Sequence, residues 1–275
     1  MIRLLSFIHN TNPCIFLTKI LAFRAVIRAM AVREIHSRYV GTFAGLSWAV
    51  IHPLVMVGIY WLVFSVGFKV RPGGDVPFIV FFVCGLVPWL VFQEILTMSV
   101  NAITKSPHLV KKVVFPVEVL PVVSLLVSLA TKVVMLVILL AMITVHSLPW
   151  SWLFLQSLYY LIALNIFALG LGWLVSSINV FYRDMGHGVT VIVGLWFWLT
   201  PVVWPPSMIP DRFEAWMWLN PMYYIVNGYR DTFLYSIPVW DRGFEHLWFW
   251  TICLFFFVLG GRIFQRLQPE FAEVL

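Results

Sequence analysis

The lysines are the first residues to test for chemistry, because a phosphate-binding loop needs Gly directly before the Lys that reaches the β- and γ-phosphates. None of Lys19, Lys69, Lys105, Lys111, Lys112 or Lys132 follows a Gly, so the chain carries no such loop and any work drawn from ATP must come from a partner. Catalysis by side chains is no better served. A lipid-phosphate transferase or hydrolase needs clustered acids or His near the end of a span, and an intramembrane serine protease needs a Ser with a positioned His. The 7 His are scattered, and no paired carboxylates fall within the apolar runs. Cys14, Cys84 and Cys253 are odd in number, far apart and in or beside apolar runs, which reads as free thiols rather than a disulfide or a metal site. Two polar features remain. Lys132 lies at the midpoint of an apolar run, where insertion costs about 2.5–3.5 kcal/mol, so it should face a water-filled cavity, snorkel or pair, with Glu94 on the preceding antiparallel helix a candidate partner that lies closer to the cytoplasmic end. Ser106, Pro107, His108, Leu109, Lys111 and Lys112 mix apolar and basic character in a way suited to docking in a groove on a partner, or to a solvated loop whose lysines enforce topology.

These residues must be positioned by helices in a bilayer. Six runs, 48–68, 78–100, 118–146, 152–180, 189–204 and 247–261, are close to charge-free, and a hydrocarbon layer of about 30 Å takes roughly 20 apolar residues to cross. The first four suffice; the last two are shorter and need flanking residues or a thinner bilayer. With the amino terminus inside, the inner segments hold Arg3, Lys19, Arg24, Arg28, Arg33, Arg38, Lys105, Lys111, Lys112, Arg183, Arg262 and Arg266. The outer ones hold Lys69, Arg71, Arg212, Arg230 and Arg242. That asymmetry orients both termini to the cytoplasm by the positive-inside rule. It also accounts for most of the net charge of +6, which is weak evidence for nucleic acid binding. A composition 61% hydrophobic and 11% charged agrees, as does a mean hydropathy of +0.93. The 275 residues suffice for one bundle, and the opening stretch is too short and polar for a cleaved signal peptide.

Three segments between runs carry more than topology. Residues 13–38 read as a helix with basic residues at intervals rather than a clean amphipathic stripe, which fits a helix in the cytoplasmic interface that snorkels to phosphates or touches a partner. Residues 107–114 lie between an N-capping Ser106 with Pro107 at the first helical position and Pro116, predicting about two turns of helix. Residues 205–245 hold many prolines yet stay apolar, and Asn220-Pro221 is another cap-plus-proline start that divides them into two short helices. Neither can cross a bilayer, so a re-entrant hairpin dipping into the outer leaflet is expected, acting either as an outer gate or as a packed cap. The fold class expected is an all-α integral membrane protein with six transmembrane helices, an interfacial amino-terminal helix and this hairpin.

The order of short motifs resembles a known family. Arg33-Glu-Ile-His-Ser-Arg-Tyr39, Gly45-Leu-Ser-Trp48 and His52-Pro-Leu54 are similar to the approach to the first span in permease subunits of type-2 ABC exporters for polysaccharides. The likeness continues through Asn101, Leu109-Val-Lys-Lys112, Phe115-Pro116 and Leu120-Pro121, then Asn179-Val-Phe-Tyr-Arg-Asp184, Asn220-Pro221, Tyr229-Arg230 and Phe264-Gln-Arg-Leu-Gln-Pro269 with Phe271. It is closest to the O-antigen branch; capsule and teichoic acid exporters share much of it, and a drug or lipid permease, or a channel or scaffold without an energy source, are the other readings. The resemblance implies a half-transporter in the inner membrane: a homodimer with two copies of a separate ABC ATPase, which binds the ATP and Mg while this chain needs no cofactor. The cargo implied is a glycan on an undecaprenyl diphosphate anchor. Ser106 to Lys112 and the interfacial helix would contact the ATPase, Arg33, Arg38 and Tyr39 would meet the anchor at the entrance, and 205–245 would be a periplasmic gate, with Trp216, Trp218, Asn220, Pro221, Tyr224 and Arg230 as its candidates. Tyr60, Trp61, Trp196 and Trp198 offer apolar faces on which sugar rings slide, or belong to the usual aromatic interface belt, and Lys132 is a further lining candidate.

Overall fold

A computed structural model describes residues 20–39, 45–70, 76–111 and 115–275. Among them all regular structure is helical. Helix α1 (Arg24–Tyr39) lies along the bundle and buries Ile27 and Ala31. Then come α2 (Trp48–Tyr60), which continues as a π-helical stretch Trp61–Gly67, α3 (Phe78–Val100), the single turn α4 (Pro107–Val110), α5 (Leu120–Val145) and α6 (Gln156–Phe181). The chain continues with α7 (Met185–Leu199), the short α8 (Glu214–Trp218), α9 (Pro221–Arg230) with a π-helical continuation Asp231–Tyr235, α10 (Gly243–Leu267) and the final turn α11 (Phe271–Val274).

Five stretches are long and apolar enough to cross a membrane: Trp48–Gly67, Phe78–Val100, Val117–Val145, Trp152–Phe181 and Gly243–Val274. The run at 189–204 is not one helix. Helix α7 starts earlier, at Met185, and stops at Leu199, because Thr200 precedes Pro201 and is held extended at φ −98°, ψ 133°. Its 15 residues rise about 22 Å, short of a full hydrocarbon layer. The last run errs the other way. Charge-free residues stop at 261, yet α10 continues through Arg262 and Arg266 to Leu267, since Arg is a good helix former whose long side chain can leave the apolar zone.

Helix α3 is the axis of the bundle. It packs against α5, α6, α9 and α7, and Phe82, Trp89, Phe92 and Ile95 are fully buried. The Phe92 and Phe167 rings stack at 5.7 Å where α3 meets α6. Helices α6 and α10 approach closely because glycines meet there: a Cβ on Gly260 would fall 2.0 Å from the Gly170 carbonyl oxygen. This is the close backbone contact that small residues permit between membrane helices, where water supplies no hydrophobic drive. A second core closes the end of the bundle that carries Lys105, Lys111 and Arg266, the basic end. It joins Ile27 and Ala31 of α1, Val110 of α4, Val117 and Leu120 before and on α5, Val180 of α6, Phe264 of α10 and Phe271 of α11.

Candidate functional site

At the basic end, the structure describes one turn, α4, of the helix expected over 107–114. Lys111 follows it, and residues 112–114, Lys112 among them, lie outside the described residues. Pro107 occupies the first helical turn as expected, but Ser106 makes no side-chain cap; its carbonyl accepts from the Leu109 and Val110 amides instead. The turn is two-sided. Ser106 and Val110 are buried while His108 and Lys111 are exposed, with Leu109 half-buried between them.

The outer face of α1 is basic. An open cleft of about 860 Å³ runs along it, lined by Arg24, Arg28, Val32, Arg33 and His36. Arg33 is exposed there; Arg38 is not a free cation. Its Nη1 pairs with the Glu94 carboxylate on α3, and its Nη2 meets the Met98 sulfur. The expected partnership of Glu94 with Lys132 therefore does not form: Arg38 on α1 reaches α3 first. Lys132 lies 5% exposed on α5 and makes no ion pair among the described residues. Tyr39 ends α1, and its side chain lies outside the description. Asn179, near the end of α6, donates to the Val100 carbonyl at 2.8 Å and faces Asn101 at 3.4 Å, fastening α6 to the end of α3.

In the apolar zone, three of the four aromatic candidates join one network. Tyr60 stacks on Phe82 at 4.9 Å and meets Phe197 at 6.0 Å; Phe197 lies 5.6 Å from Trp89, and Trp89 lies 6.5 Å from Trp196. Trp198 joins through Phe197, 5.4 Å away and nearly perpendicular, while keeping 53% of its surface exposed; Trp61, 42% exposed, shows no ring contact among the described residues.

The 205–245 segment divides at Asn220 as predicted, and its two halves differ. Helix α8 leaves Trp216 72% and Trp218 38% exposed, with Trp218 resting 5.7 Å from the Phe244 ring. Every residue of α9 is buried. Asn220 is the junction: its Oδ1 accepts from the Met222 amide and from Trp196 Nε1, and its Nδ2 donates to Thr200 Oγ1 at 2.8 Å. Next to it, Pro221 begins α9, and Tyr224 shares hydrogen bonds of 3.1 and 3.0 Å with Tyr159 of α6 and His246 of α10. Arg230, 1% exposed, donates to the Val202 carbonyl at 2.9 Å and to Asn227 Oδ1 at 3.3 Å, and lies 3.6 Å over the Phe81 ring. Gly85 makes room for it, since a Cβ there would sit 2.9 Å from Arg230 Nη2. The adjacent Asp231 binds Arg242 with two hydrogen bonds, one of 2.9 Å, and Arg242 also reaches Glu245. Burial pushes the Asp231 carboxyl above the usual carboxylate range against the pull of Arg242. Burial opposes the charge of Arg242 as well, but its bonds to Asp231 outweigh that and raise it. Gln156 binds Thr232, Ile237 and Val239, tying the connector after α9 to the start of α6. Sequence reasoning missed Gln156, Tyr159, Asp231 and His246, because none stands out by spacing; each acts through a partner far along the chain. Among the described residues no group of three or more His, Cys, Asp or Glu could hold a metal ion.

A bundle whose described residues are all helical where regular, with five stretches long and apolar enough to cross a membrane, defines a multi-pass membrane protein. The profile of the ABC-2 type transporter family matches residues 25–234, and the chain belongs to that family. It is 30% identical over 250 residues to the O-antigen export system permease protein RfbA of Klebsiella pneumoniae, spanning 88% of this chain and 92% of that one. It is 31% identical over 214 residues to the RfbA of Myxococcus xanthus, covering 77% and 81%. The polysialic acid transport protein KpsM of Escherichia coli is 23% identical over 213 residues, covering 76% and 81%.

Proposed function

We propose that this chain is the membrane subunit of an ATP-driven exporter that moves a lipid-linked polysaccharide, O-antigen-like in class, from the cytoplasm to the periplasm. Two copies form the passage in the inner membrane with both termini inside, and two copies of a separate ABC ATPase bind the nucleotide and dock beneath. Five long helices and α7, extended by its flanking turns, make the six crossings. The observation that carries the reading is α4: a two-sided turn with His108 and Lys111 exposed and Val110 in the core, in a chain whose relatives are export permeases. Ser106, Pro107, His108, Leu109, Lys111 and Lys112 receive the push of the ATPase dimer, which shifts the bundle between closed and open populations.

Of the two expected anchor arginines, Arg33, on the basic face of α1 beside Arg24 and Arg28, is the one free to attract the diphosphate of an undecaprenyl anchor, because Arg38 is held by Glu94. Tyr60 and Trp196 form a continuous aromatic surface toward which Trp61 and Trp198 add exposed faces for sugar rings. The 205–245 segment is the periplasmic gate, with the exposed α8 as its moving half. Replacing His108, Lys111 and Lys112 with Glu is expected to leave membrane insertion intact and to abolish movement of lipid-linked glycan in vesicles that hold the co-purified ATPase. Unchanged export by that variant overturns the coupling role.

A further inference from the structure

A turn of four residues cannot by itself carry a push. Isolated helices shorter than about 12 residues are marginal in water, so whatever stiffness α4 has must come from what it packs against. Its inward side chain is Val110, and α11 packs against α4 on one side and against α6 on the other. We infer that residues 268–275 are a strut that holds α4 and the α6–α7 connection in one rigid body, so that force applied at α4 reaches α5, α6 and α10 together; this rests on the coupling reading above.

The geometry is specific. Phe271 is fully buried, with its ring 5.5 Å and nearly perpendicular to that of Phe264 on α10 and 6.2 Å from that of Phe181, the last residue of α6. Three residues earlier, Gln268 Nε2 donates to a carboxylate oxygen of Glu118 at 3.3 Å, beside the start of α5. The Glu118 backbone carbonyl in turn accepts from Trp173 Nε1 of α6 at 3.1 Å. The Leu275 amide closes the turn onto the Phe271 carbonyl at 3.1 Å. One aromatic plug and one amide thus join α4, α5, α6 and α10 at the basic end. A close-packed core of this kind transmits displacement because its side chains interdigitate and have no slack to absorb it. Coupling through it is physical contact, with no need of a separate signal path.

The test uses the full chain purified with its co-encoded ATPase in vesicles, comparing Phe271→Ala, Phe271→Leu and a stop after Leu267. The readouts are ATPase retained, ATP hydrolysed and lipid-linked glycan moved per ATP. Phe271→Ala and the truncation are expected to keep the ATPase bound and turning over while glycan moved per ATP falls about tenfold, with Phe271→Leu restoring most of it. A spin label at position 111 of the permease without its ATPase is expected to become more mobile in Phe271→Ala. Wild-type glycan movement per ATP in both defective variants, an unchanged label, or loss of bound ATPase in place of uncoupling overturns the strut. The Glu triple variant at His108, Lys111 and Lys112 is run alongside. If it exports normally the coupling reading itself falls, whereas a defect there with normal export by Phe271→Ala removes the strut alone.

Discussion

Arg230 shows what a buried charge does here. A guanidinium taken out of water must replace its hydration with hydrogen-bond acceptors and a polarisable face, and it finds the Val202 and Phe81 carbonyls, Asn227 Oδ1 and the Phe81 ring, while Asp231 next door is committed to Arg242. Its fork therefore pins α9 to α3 and to the strand of chain after α7. Truncation strands two carbonyls and empties a fully packed site. Arg230→Ala is expected to cost about 3 kcal/mol, read as a lower thermal unfolding midpoint in detergent, and Arg230→Lys, which keeps the charge and loses the fork, about half of that. A midpoint unchanged in Arg230→Ala would remove the clamp. Arg230 is a candidate through the Tyr229-Arg230 pair in the family resemblance, but its partners lie 28 and 149 positions away, beyond the reach of any local pattern. Arg38 and Glu94 teach the same point. Both stand out singly, and only the packing of α1 across α3 says that they meet.

Elements were legible where backbone chemistry punctuates the chain and obscure where packing decides. Asn220-Pro221 begins α9 with its side-chain cap in place, as read from the sequence; Pro201, two residues after Leu199, ends α7 by an equally local rule that the expected run 189–204 passed over. The π-helical stretches Trp61–Gly67 and Asp231–Tyr235 have no such mark, and neither does the depth to which α9 is sunk. That depth matters for the hairpin, because α9 is part of the core and α8 is not. A gate built from both halves moving together would have to break the Arg230, Tyr224 and Gln156 contacts at once, whereas the described side chains of α8 offer only a buried Met217 and Trp218 against Phe244, next to the Asn220 junction. Local opening follows low contact density. Hydrogen exchange of the purified chain is expected to find the amides of α8 exchanging about 100-fold faster than those of Tyr224 to Arg230 in α9. Equal protection of the two halves would make the hairpin a fixed cap.

At the scale of the whole molecule, the bundle and its orientation rest on different evidence. Apolar runs of 20 or more residues specify helices that must hide every backbone polar group, which is why four of the six expected spans emerge nearly as written. Orientation is a matter of which end carries the lysines and arginines, and the fold gathers Arg24, Arg28, Arg33, Lys105 and Lys111 at the end closed by the second core, with Arg212 and Arg242 at the other. The exposed side chains of Lys111 and Arg212 allow a direct trial, and Cys84 and Cys253 are fully buried, so replacing Cys14 leaves a quiet background. In intact cells, an impermeant thiol reagent is expected to modify Arg212→Cys and to spare Lys111→Cys until the inner membrane is opened. The reverse pattern would put α4 on the side where there is no ATP. Force could then not enter the bundle through His108 and Lys111, and the whole chain of contacts from α4 through Phe271 to α10 would have to serve packing alone.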